Sequence, residues 1–256
     1  MTFCNGVRHA SKRNGSPIVL ALDFPFENPE DREELSAKAE RILAAVHPYI
    51  CAVKFNHHLV LPLGAFDGIQ KLIRKTHDLG LPAIMDCKIN DIGATNQVIA
   101  EYYYAAGFDA VIANPFIGWE EGLKPIFDVA HRLGKAVILL VYMSHGGAAE
   151  GYGQTIVDPA SGEKIFQYVS FARKALKYAA DGVVVGATYP EKIREVHAIL
   201  GDKVPIFSPG IGAQGGVVKT TLAAGASYLI VGRSIIQAKN PAKVAGTLLE
   251  LVRRQE

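Results

Sequence analysis

Roughly eight repeats of a short apolar run followed by a longer amphipathic stretch predict a single-domain (β/α)8, or TIM, barrel. The chain has 256 residues, and about 250 is typical of that fold. Charged residues fall at the carboxyl ends of successive apolar runs, which is the rim where such barrels keep their chemistry. An open doubly wound sheet is the competing architecture. It is disfavoured because the first strand-to-helix turn, after Asp23, has no glycine-rich dinucleotide fingerprint.

Met1 to Ser16 is polar, carries Arg8, Lys12 and Arg13, and lacks an apolar signal core. It is expected to be an extension (1–16) ahead of a barrel domain spanning 17–256. Pro17 to Asp23 is a strand closing on a carboxylate, and Pro29 to Val46 has Leu35, Ala39, Ile42, Leu43 and Val46 at helical spacing. Ile50 to Phe55 is a second strand, followed by a helix over Phe66 to Leu79 with Gly80 as its stop. Leu81 to Met85 begins the third strand and Thr95 to Ala106 forms the next helix. Asp109 to Ala113 and Ala136 to Tyr142 are the fourth and fifth strands, with a helix over Trp119 to Leu133 between them. Ser144 to about Ser161 breaks the rhythm, and a loop this long in a compact domain is usually functional. A helix from about Glu163 to Ala180 restores it. Strands over 182–186, 204–208 and 227–232 then alternate with helices over 191–200, about 217–224 and 242–252.

With 49% hydrophobic and 20% charged residues the composition is that of a soluble globular protein. The net charge of +2 offers no nucleic-acid stripe and no polybasic membrane patch. Cys4, Cys51 and Cys87 form neither a zinc pattern nor a disulfide framework. They suit a reducing, cytoplasmic setting. No apolar stretch approaches a membrane span.

The informative stretch is Met85-Asp86-Cys87-Lys88-Ile89-Asn90-Asp91-Ile92-Gly93-Ala94-Thr95. On a strand, side chains alternate, so Asp86 and Lys88 share a face and Cys87 takes the other. Asp91 falls just past the strand, on a loop or at a helix start. Three charges within six residues are costly at the end of an apolar strand unless paired. An ion-pair ladder tying strand to helix is one explanation. It does not account for Asp23, Lys54, Asp86 and Lys88 all standing at carboxyl ends of three successive strands.

Two further loops follow the seventh and eighth strands, Ser208-Pro209-Gly210-Ile211-Gly212-Ala213-Gln214-Gly215-Gly216 and Val231-Gly232-Arg233-Ser234. Loops at these places frequently hold a phosphate on backbone N–H groups in this fold. Arg233 can add a bidentate charge-assisted contact, and Gln214 an amide donor.

The pattern Asp-x-Lys-x-x-Asp-Ile-x-x-Thr, Asp86 to Thr95, resembles the signature of orotidine 5′-monophosphate (OMP) decarboxylases. Leu20 to Asp23, Val53-Lys54-Phe55, Met143-Ser144-His145, Gly212 to Gly216 and Val231 to Ser234 extend the resemblance over about Ile18 to Ile236. It implies a cofactor-free barrel that works as a homodimer and makes UMP in pyrimidine synthesis. It implies that Asp23 and Lys54 bind ribose hydroxyls, that Asp86 faces the substrate carboxylate and that Lys88 protonates C6. Lys54, Asp86, Lys88 and Asp91 would form a Lys-Asp-Lys-Asp array. Asp91 would come from the neighbouring subunit, with Ile92 and Thr95 beside it. Ser144 would meet the pyrimidine edge, and Gln214, Gly232 and Arg233 the phosphate. No metal ligand is implied.

Magnesium-dependent decarboxylases or aldolases of sugar phosphates are similar in the Asp-x-Lys-x-x-Asp pattern, but carry a metal-binding carboxylate on the second strand where this chain has Lys54. A non-catalytic phosphate-ligand barrel would not need Lys88 beside Asp86. His57 and His58 are expected to be polar loop residues, as no third ligand accompanies them. Ser144 and His145 lack a nucleophile elbow, and Tyr102, Tyr103 and Tyr104 suggest core or dimer interface.

Overall fold

The structure is a computed structural model describing residues 2–25, 28–158 and 161–254. Its first element is a helix, α1 (Phe3–Asn14). The barrel units that follow are β1 (Ile18–Ala21), α2 (Arg32–Val46), β2 (Ala52–Asn56), α3 (His57–Leu63), α4 (Ile69–Asp78), β3 (Ala83–Ile89), α5 (Gly93–Ala105), β4 (Ala110–Ala113), α6 (Lys124–Leu133) and β5 (Ala136–Tyr142). After them come α7 (Ala148–Gly151), β6 (Thr155–Val157), β7 (Lys164–Phe166), α8 (Gln167–Lys177), β8 (Gly182–Val185), α9 (Pro190–Leu200), β9 (Ile206–Pro209), α10 (Val218–Ala223), β10 (Tyr228–Val231), α11 (Arg233–Ile236) and α12 (Pro241–Arg253).

Eight parallel strands close in the order β1-β10-β9-β8-β5-β4-β3-β2, so the barrel expected from the alternation is the observed fold. Every residue of β1, β4, β5 and β8 is buried. That explains why these strands appear in sequence as continuous apolar runs, since helices cover a parallel sheet outside while side chains fill it inside.

Four local features differ from the expectations. The segment 1–16, expected as an extension before the fold, contains α1, which lies across the amino-terminal mouth of the barrel. Phe3, Val7 and Ala10 are spaced for one helical face and are buried. Phe3 stacks on Phe207, Asn14 Nδ2 donates to His47 O and Ile50 O, and Arg13 Nη2 donates to Leu79 O. Secondly, His57 and His58 do not lie in a loop but open α3. The Asn56 side chain accepts from His58 N–H and caps that helix, which starts directly after β2.

Thirdly, the stretch expected as a long loop after β5 holds α7 and β6, and β6 pairs in a hairpin with β7, which takes the start of the expected helix, so that helix begins at Gln167. The tip residues 159 and 160 lie outside the described residues. Finally, α11 was not foreseen; four residues are too few for a periodic signal. Of the tyrosines, Tyr104 is buried and donates to Ala136 O, whereas Tyr102 is exposed and edges onto Phe66.

Candidate active site

Ala21 is the last residue of β1 and is buried; two residues on, Asp23 emerges at the carboxyl rim. Lys54, in the middle of β2, is 3% exposed. Its Nζ stands 2.6 Å from Asp86 Oδ2 and 3.2 Å from Asp23 Oδ1. Lys88 Nζ stands 2.6 Å from Asp86 Oδ1. Each oxygen of Asp86 thus carries one ammonium, and the four side chains form the row Asp23–Lys54–Asp86–Lys88.

Asp86 and Lys88 meet as strand alternation predicts, yet the backbone route is not regular. Met85 pairs with Val111 but Ile89 pairs with Ala113, so four steps on β3 oppose two on β4. Lys88 lies in the resulting bulge at φ +49°. Left-handed backbone at a lysine costs roughly 1–2 kcal/mol, and bulges beside active sites re-aim a side chain. The neighbouring Cys87 faces away and donates to Ile112 O. Burial, and then the charge of Asp86, push its thiol up to about 12, so the cysteine nearest the site is no thiolate nucleophile.

Burial alone would raise the Asp86 carboxyl; Lys54 and then Lys88 outweigh it and hold the group well below the usual carboxylate range. Burial would likewise lower Lys54, but Asp86 and then Asp23 overcome this and keep it above the ordinary lysine value. A carboxyl depressed in the fold stabilises above its ordinary value of 3.8, and that stabilisation is lost as the pH falls below it. The raised Lys54 value gives stabilisation present below 10.5 and lost as the pH rises beyond it. Both describe one ion pair, complete at neutral pH. Asp86→Asn is therefore expected to lower stability at pH 7 and to flatten the loss of stability below about pH 4. Urea unfolding at pH 7, 4 and 3 measures this; parallel acid slopes in variant and wild type would remove Asp86 from the linkage.

The row forms one wall of a pocket. Met143, Ser144, Gly210, Ile211, Ala213, Gln214, Gly232 and Arg233 line the rest, over an apolar floor of Ile112, Leu140, Val184 and Ile230. The expected phosphate loops after β9 and β10 thus share a cavity with the charged row. Ser144 is held from β8: Thr188 Oγ1 donates to Ser144 O, and Tyr189 Oη donates to His145 O. Gly186 makes this close approach possible, because a Cβ there would lie 2.6 Å from Ser144 Cα. Neither Thr188 nor Tyr189 was singled out in sequence. Their place just past the carboxyl end of a strand was the available signal. The apolar floor was equally invisible, since inward and outward residues of a buried strand look alike.

Asp91, Ile92 and Thr95 do not line the pocket of their own chain. All three are exposed at the start of α5, Ile92 by 70%. His57 Nε2 faces Tyr103 Oη, and His58 Nδ1 contacts Phe24 O. Among the described residues no group of three or more His, Cys, Asp or Glu side chains could hold a metal ion. No helix among them is long and apolar enough to cross a membrane.

Residues 16–248 match the family described as Orotidine 5'-phosphate decarboxylase / HUMPS. The chain belongs to that family. Its relatives include the orotidine 5'-phosphate decarboxylase of Methanosarcina mazei, 36% identical over 93% of this chain and 96% of that protein. The Pyrococcus abyssi decarboxylase is 36% identical over 92% of this chain and 99% of its own length. Among solved structures, the Methanocaldococcus jannaschii orotidine 5'-monophosphate decarboxylase complexed with inhibitor BMP is 31% identical, with a TM-score of 0.75 over 93% of this chain and 98% of that one. Leishmania donovani UMP synthase has a TM-score of 0.85 and 25% identity over the whole of this chain, which spans 56% of that longer one. The decarboxylase/HUMPS match begins at residue 16, so the whole of α1 lies outside it.

Proposed function

We propose that this chain decarboxylates OMP to UMP, a step of pyrimidine biosynthesis, without a metal or organic cofactor and in the cytosol. Family membership supports the reaction, and the observation that carries the mechanism is the row Asp23–Lys54–Asp86–Lys88 on the wall of the phosphate-loop pocket. In this reading Gln214, Gly232 and Arg233 hold the substrate phosphate, Asp23 and Lys54 its ribose hydroxyls, and Ser144 its pyrimidine edge. The C6 carboxylate then lies toward Asp86, and Lys88 lies beside C6.

Breaking the C6–CO₂ bond leaves its electron pair on C6, where no conjugated sink receives it. The Lys88 ammonium stabilises that pair as it forms and then gives it a proton, leaving UMP and a neutral lysine. Charge stabilisation already in place is usually the largest catalytic contribution. Repulsion between Asp86 and the substrate carboxylate adds about 4 kcal/mol for unit charges about 4 Å apart at an effective dielectric of about 20. The hardest enzymatic reactions require on the order of 20 kcal/mol. Repulsion is therefore a minor share, and remote phosphate binding must help hold the reacting geometry. Departing CO₂ is neutral, which suits the apolar floor.

Asp91, Ile92 and Thr95 act in the site of a partner subunit in this proposal. Their exposure at the rim supports it. The decisive measurement is loss of the OMP absorbance with purified protein; no change with OMP overturns the reading.

The metal-dependent alternative within the family is disfavoured by Lys54. It occupies the position where those enzymes need a carboxylate, and it already pairs with both Asp23 and Asp86. Activity is accordingly expected to survive exhaustive chelation. Loss on chelation, with recovery on adding magnesium, reverses the choice.

A further inference from the structure

The first turns of α5 hold a polar side chain with no exposed surface that the proposed chemistry does not use, Asn96. Its amide turns back along the chain. Oδ1 accepts from Asp91 N–H at 3.0 Å, and Nδ2 donates to Asp91 O at 2.6 Å and to Gly122 O at 2.9 Å. Both backbone polar groups of Asp91 therefore end on one side chain, whose remaining amide proton is anchored in the turn that leads into α6. The orientation of the amide is dictated by these partners: exchanged, it would set a donor against an N–H and an acceptor against two carbonyls.

This is not ordinary helix capping. The cap position, Ile92, offers no side-chain cap. Asn96 lies inside the helix, where asparagine is unfavourable, and it satisfies residue 91, outside the helix. The start of α5 also rests directly on the anchoring turn, since a Cβ at Gly93 would lie 2.9 Å from Glu121 O. From this pinned backbone the exposed Asp91 carboxylate projects at the rim, with Oδ1 accepting from Ile92 N–H at 2.7 Å.

We propose that Asn96 is a positioning residue for Asp91: it fixes the 91–92 turn so that the carboxylate meets the charged row of a partner subunit. The inference rests on the trans role given to Asp91 above. A buried polar group is costly unless satisfied, and here every bond it makes is spent on holding Asp91 or its anchor.

The test compares Asp91→Asn, Asn96→Ala and the double variant in steady-state OMP turnover, with folding checked by thermal unfolding. Asn96→Ala is expected to lower kcat on the order of 100-fold, the loss that a misplacement of about 1 Å can cause. KM should change much less, because Gln214 and Arg233 are untouched. The double variant should be no slower than Asp91→Asn alone, whereas a general structural defect would add its own factor. Mixed with Lys88→Ala subunits, Asn96→Ala should regain activity, because its intact Lys88 then receives a correctly held Asp91. Wild-type kcat in Asn96→Ala, or a double variant slower by the full single-variant factor, overturns the proposal. Wild-type kcat in Asp91→Asn overturns the charge-array reading instead. Should Asn96→Ala not fold, the near-isosteric Asn96→Asp keeps an acceptor for Asp91 N–H while removing both amide donations, and the same two comparisons decide.

Discussion

Lys88→Ala and Asp91→Asn subunits, each nearly inactive alone, are expected to recover about a quarter of wild-type activity when dissociated, mixed and reassociated. Lys88 is half-exposed at the pocket and bonded to the inner carboxylate of the row, whereas Asp91 is exposed outside it. Removing one preorganised charge-stabilising group typically costs on the order of 10²- to 10³-fold in kcat, so each parent has a low background. Random pairing in a two-fold dimer makes about half of the dimers mixed. In a mixed dimer one site carries both lesions and the other none, provided that Asp91 is donated across the interface. If Asp91 serves its own chain, every site keeps one lesion. A mixture as inactive as its parents, with subunit exchange verified separately, ends the shared-site proposal.

Arg233→Ala is expected to lower kcat/KM for OMP by about 30-fold to several thousand-fold, the equivalent of truncating one partner of a charge pair worth about 2–5 kcal/mol. Arg233 opens α11 directly after β10 and lines the same pocket as Gln214 and Lys88. Because phosphate binding is proposed to support the reacting geometry, kcat should fall along with affinity. The nucleoside lacking the phosphate provides the control, as its slow turnover should be indifferent to the substitution. Equal kcat/KM for OMP in variant and wild type removes Arg233 from the site.

How much of this was legible in the sequence follows from the range of each interaction. Asp86, Lys88 and Asp91 lie within six residues, so strand periodicity alone puts the first two together and the third beyond the strand end. Asp23 and Arg233 were legible because a parallel barrel gathers the carboxyl ends of all its strands at one rim, wherever they fall in the chain; Lys54, expected at such an end, lies in the middle of β2 and reaches Asp23 with its ammonium. The α1 cap was missed although Phe3, Val7 and Ala10 carry helical spacing, because surrounding basic residues gave the segment a polar average. The hairpin of β6 and β7 was missed because three-residue strands carry almost no periodicity.

The sequence by itself determined the barrel, the rim and the charged residues that occupy it, since these follow from local periodicity and a repeated unit. Only the tertiary structure decided how those charges are shared. The bulge that turns Lys88 back onto Asp86 is a slip in backbone pairing, and the Thr188 bond that holds Ser144 and the Asn96 amide closed around Asp91 both end on backbone atoms. Backbone N–H and C=O groups are the same at almost every residue, so a bond to one leaves no mark in the sequence until the fold brings the partners together.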